Sequence, residues 1–74
     1  MTRILILPEG WMTEFAKCRP GLFMFGSTLG FKSEYGVLEG FVCDSGEAFW
    51  GGTSSPQELE KLMVQPVIAK WVTE

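Results

Sequence analysis

A chain of 74 residues makes one domain, and at this size only about 60% of the unfolded surface is buried, so stability is marginal without a partner, metal or disulfide. A net charge of −3 with only six Lys and Arg argues against wrapping a long nucleic acid, where phosphate neutralisation supplies most of the affinity; nine Asp and Glu are too few and too scattered for a DNA mimic. With no histidine at all, the common zinc spacings and the Ser–His and Cys–His dyads are absent, so neither a metal site nor an enzyme is expected.

The first predicted element is a strand, Ile4 to Leu7, a continuous apolar run bounded by Pro8 and Gly10. It is too short for a signal-peptide core or a membrane span, and a cytoplasmic protein is the simplest reading. Gly10 to Arg19 is ambiguous: Thr13 caps a short helical turn over 14–18, ended by Pro20 and Gly21, or the segment is a loop. Leu22 to Phe25 is a second strand, followed by the turn residues Gly26, Ser27 and Thr28. In Leu29 to Tyr35 the alternation places Leu29, Phe31, Ser33 and Tyr35 on one face and Gly30, Lys32 and Glu34 on the other. Gly36 permits a bend, Val37 to Cys43 continues as a strand, and Asp44-Ser45-Gly46 is a turn that returns Glu47 to Trp50 antiparallel.

The clearest local signal is a helix start, with Ser55 at N-cap, Pro56 at N1 and Glu58 at N3. Leu59, Leu62 and Met63 form its apolar stripe, and Pro66 limits it to about 56–63. Val67 to Val72 is a terminal strand, at an edge or paired with the first. The expected fold is α+β: a small antiparallel sheet of five or six strands, with a barrel-like arrangement compatible, and one short helix. Cys18 and Cys43 read as buried small hydrophobes rather than a disulfide.

Two constellations are candidate sites. Phe49, Trp50, Gly51, Gly52 and Thr53 run into the helix start, where an anion would meet backbone amides while an aromatic ring stacks on a base or sugar. The alternative is a plain strand-to-helix connection with Trp50 in the core. No P-loop is present, because Gly52 is not followed by Lys-Ser or Lys-Thr. Lys32, Glu34 and Tyr35 form the second: Lys32 offers a cation and Glu34 orients a ligand, against the alternative of a solvated surface pair. Asp44, Ser45 and Glu47 are read as hairpin chemistry rather than catalysis, with Glu47 retained beside the aromatic loop.

Three stretches, Pro20-Gly21-Leu22-Phe23, Thr28 through Tyr35 (TLGFKSEY) and Ser45 through Gly52 (SGEAFWGG), resemble small uncharacterised bacteriophage and prophage proteins. The resemblance spans about the middle half of the chain and implies a protein that binds and neutralises something in the bacterial host cytosol. One such function is an anti-defence sponge that sequesters a nucleotide immune signal, a small anionic ligand; the alternative is an inhibitor that occludes a host protein through an exposed aromatic patch. A chain that is 14% aromatic, with three Trp and six Phe, carries more large side chains than one small monomer buries, so a homo-oligomer is expected. No cofactor is expected.

Overall fold

A computed structural model describes residues 2–73. In chain order they form β1 (Thr2–Pro8), β2 (Thr13–Glu14), a 3-10 turn (Phe15–Lys17), β3 (Gly21–Phe25), β4 (Thr28–Lys32), β5 (Gly40–Val42), α1 (Pro56–Glu60) and β6 (Met63–Thr73). All strand pairings are antiparallel. The sheet order is β1-β6-β3-β4-β5, with β2 also paired to β6. Six antiparallel strands and one short helix match the expected class, and the order is open, with β1 and β5 at its two ends.

β6 organises the sheet and has two parts. Met63 to Pro66 pairs with β2 and β3 inside the body, whereas Val67 to Thr73 pairs with β1. The terminal strand therefore does pair with the first, yet it lies inside the sheet order rather than at its edge. Arg19 fastens the junction, donating from Nη2 to the Val67 carbonyl at 2.8 Å and from Nε to the Glu9 carboxylate at 2.7 Å.

Several predicted elements shift. Thr13 pairs with Val64 as part of β2 rather than capping a helix, and the turn that follows has no side-chain cap. β4 stops at Lys32, so Ser33, Glu34 and Tyr35 lie in a loop where the Tyr35 N–H donates to Ser33 Oγ at 3.0 Å. The strand expected over 37–43 shrinks to Gly40–Val42, and the return of Glu47 to Trp50 keeps only the bridge of Ala48 to Phe41. α1 ends at Glu60 because the chain has already turned into β6 at Met63, three residues ahead of the proline expected to stop it. Leu59 and Leu62 pack on the core as read, whereas Met63 is exposed. Cys18 is buried, but Cys43 is exposed and both thiols are free.

The core is a cluster of phenyl rings. Phe15, Phe23 and Phe49 meet pairwise at centroid distances of 5.3, 5.3 and 4.8 Å, in tilted and edge-to-face geometry, and Cys18, Leu59 and Val64 complete it. Two strand glycines seat the rings. Gly30 lies opposite Phe23 in the register, and a Cβ there would fall 2.4 Å from Phe23 Cζ; at Gly40 it would fall 2.8 Å from Phe15 Cζ. Both contacts are far inside van der Waals range, so these glycines are required by packing. Gly30→Ala is expected to destabilise the fold by about 1–3 kcal/mol through overpacking, read as a lower denaturation midpoint with an unchanged slope.

Candidate functional site

The cleft at the β5 end of the sheet is built by the segment that follows the Asp44-Ser45-Gly46 turn. The Val42 N–H donates to the Glu47 carbonyl and the Phe49 N–H to the Gly40 carbonyl, both at 2.8 Å, which lays residues 47–49 along β5. Phe49 then enters the core, 3% exposed, while its neighbour Trp50 stays 45% exposed. Trp50, Leu38, Phe41 and Pro56 wall an open cleft of about 370 Å³, with Phe49 and Leu59 beneath it. This is within the range of roughly 300–1,000 Å³ typical of ligand pockets. Its lining holds one charged residue, Glu39, and no Lys or Arg.

Gly51 and Gly52 have a local structural task. The Thr53 N–H and Oγ1 both donate to the Trp50 carbonyl, at 3.0 and 2.6 Å, closing a tight turn whose two central residues have φ of 59° and 80°. Glycine occupies both positions at no steric cost. A Cβ on Gly51 would also fall 2.3 Å from Leu62 Cδ2. The helix start is likewise occupied: Ser55 Oγ accepts from the Glu58 N–H, and the Glu58 carboxylate accepts from the Ser54 N–H and Oγ. The capping residues act as read, except that Glu58 reaches back to Ser54 rather than Ser55.

The second predicted constellation lies apart from this cleft. Lys32 is 3% exposed; its ammonium donates to the carbonyls of Phe15, Cys18 and Ala16 at 2.5, 2.7 and 3.3 Å and sits 5.0 Å from the centre of the Phe15 ring. It closes the end of the 3-10 turn, and burial pushes its pKa below the ordinary range while the neighbouring Cys18 acts the other way. Burial in turn pushes the Cys18 thiol up. Glu34 and Tyr35, the latter 86% exposed, border a separate groove beside Pro20 and Phe31. Glu47 is exposed in the hairpin, its N–H donating to Ser45 Oγ. Of the predicted residues, Phe49 and Trp50 line the cleft; Gly51 and Gly52 border a groove on the other side of Trp50.

The cleft residues that sequence reasoning missed are Leu38, Glu39, Gly40, Phe41, Ala48, Pro56 and Leu59. Phe41 lies opposite Phe31 across the β4–β5 pair, a register that only the structure supplies. Among the described residues no group of His, Cys, Asp and Glu is placed to hold a metal ion, and no helix is long and apolar enough to cross a membrane. Comparison of the chain with protein-family models, curated proteins and solved structures finds no match.

Since Lys32 satisfies three buried carbonyls, Lys32→Met is expected to destabilise the fold by about 1–3 kcal/mol, the cost of leaving such groups without a donor. Urea denaturation followed by circular dichroism reads the loss; an unchanged midpoint would show that water replaces the ammonium at no cost.

Proposed function

We propose that this chain is a non-catalytic binding protein whose cleft between β5 and α1 grips an apolar side chain of another protein. A host protein in the bacterial cytosol is the kind of partner implied by the resemblance to small phage proteins. The observation that carries the reading is the wall formed by Phe41, 38% exposed, and Trp50, 45% exposed, around a lining without a cation. Aromatic anchors in partly desolvated pockets supply most of the energy of protein interfaces. A nucleotide needs its phosphates neutralised or held by donors, and Lys32 is committed to backbone carbonyls elsewhere.

Sequestration of a nucleotide signal is the second reading. Support for it comes from the exposed ring of Trp50, which stands between the cleft and the groove bordered by Gly51 and Gly52.

Two measurements separate the readings. A panel of cyclic and linear nucleotides should leave the melting temperature unchanged, because a ligand selective for the folded state raises it. A protein captured from bacterial lysate by the wild-type chain should bind Trp50→Ala and Phe41→Ala more weakly by about 2 kcal/mol, roughly thirty-fold in Kd. A nucleotide-induced rise in melting temperature that Trp50→Ala abolishes would establish the sponge instead. Equal binding by wild type and both variants would remove the cleft from the interaction.

A further inference from the structure

Away from the cleft, at the opposite end of the strand order, β1 and the second half of β6 form a two-stranded ribbon. Every residue of β1 is exposed. The register sorts the ribbon's side chains into two faces, because paired residues share a face and successive residues alternate. One face carries Ile4 opposite Trp71 and Ile6 opposite Ala69; the other carries Arg3 opposite Val72, Leu5 opposite Lys70 and Leu7 opposite Ile68. The first face is apolar and uncharged, bounded at its outer end by the pair Thr2 and Thr73. Its exposures are large: 51% for Ile4, 38% for Ile6 and 73% for Trp71.

We propose that two copies of this chain pack face to face, about a two-fold axis, through Ile4, Ile6, Ala69 and Trp71 of their β1–β6 ribbons. An isolated two-stranded ribbon is marginally stable in water, so an ordered ribbon of this composition needs cover as part of its folded state. The cover must be present whenever the chain folds, and a second copy is the molecule that meets this condition. An isologous contact also requires only that one patch be complementary to itself.

Charge selects both the partner and the face. Each chain carries −3, and two acidic chains meet at least cost where neither presents a charge, because like charges set opposite one another destabilise. The Ile4–Trp71 face meets that condition, whereas a symmetric contact through the other face would bring Lys70 of both copies together. A nucleic acid or an anionic membrane would need cations on the docking face, and this face has none.

On the docking face Ile4, Ile6 and Trp71 together expose on the order of 350 Å², within the range of the largest apolar patch on ordinary monomers. A stable interface takes about 800 Å² from each partner, roughly a sixth of the 5087 Å² surface of this chain. The large side chains of the docking face supply somewhat under half of that, so Ala69, the Thr2 and Thr73 flank and the ribbon backbone must contribute the remainder.

The full chain should sediment as a dimer, at twice the 8.3-kDa chain mass. Ile6→Glu and Trp71→Glu should each raise the dimer dissociation constant at least about 100-fold, while Leu7→Glu, on the other face, leaves the dimer in place. Because a charge in the ribbon can also unfold it, a milder pair completes the test. In a Cys43→Ser background, Ala69→Cys should oxidise to a covalent dimer faster than Lys61→Cys, a control at the exposed end of α1. A wild-type monomer at about 100 μM, cross-linking of Ala69→Cys no faster than the control, or a dimer lost in Leu7→Glu and kept in Trp71→Glu overturns the proposal. The proposal is independent of the cleft: Trp50→Ala and Phe41→Ala should leave the dimer intact whatever they do to partner binding.

Discussion

The contact of Phe15, Phe23 and Phe49 is the constraint on which the rest of the structure depends. The three rings come from a 3-10 turn, a central strand and the return segment after the β5 hairpin, pieces that share no local reason to meet. Edge-to-face aromatic pairs add about 0.5–1.5 kcal/mol each beyond the area they bury, a large share for a domain of this size. The glycines at 30 and 40 let the rings lie against neighbouring strands, and Lys32 ties the turn bearing Phe15 to the end of β4. Removing any one piece loosens the contact among all three.

So small a core also decides what remains outside it. Of the aromatic residues, Trp11, Phe31, Tyr35, Phe41, Trp50 and Trp71 are exposed. They are not spread evenly. Phe31 and Phe41 are cross-strand partners on the side of the sheet away from the core, Trp50 stands beside Phe41 in the cleft, and Trp71 lies across the ribbon from Ile4. In the return segment after β5, Phe49 turns inward to complete the ring cluster while its neighbour Trp50 faces solvent.

Local chemistry in the sequence carried much of the fold. The Ser55-Pro56 start of α1 and the Gly26-Ser27 hairpin between β3 and β4 follow from residues within a few positions of each element, whereas the pairing of the terminal strand with the first is one of two arrangements the sequence allows and is decided by a contact between the chain's two ends. What was not legible depended on tertiary partners. Lys32 reads as a surface cation because strand alternation sets it beside Glu34, but the carbonyls that capture it come from residues 15, 16 and 18. Glu34 leaves the strand altogether once β4 ends. Leu38 and Pro56 give no sign of sharing a cleft, since the approach of α1 to β5 is a long-range event. Gly51 and Gly52 look like room for a ligand, whereas Leu62, far along the chain, fills the space beside Gly51.

The strand order separates the two exposed regions by the width of the sheet: the ribbon at the β1 end and the cleft at the β5 end. A two-fold assembly through the ribbons would leave both clefts uncovered. Such an arrangement is bivalent, and linking two modest sites raises apparent affinity by about 10²–10⁴-fold where both engage at once. On the binding function proposed for the cleft, pairing two copies of a site with a single tryptophan anchor is a physical route to tighter capture. That gain needs a partner that is itself repeated, and an oligomeric target therefore fits this architecture better than a monomeric one.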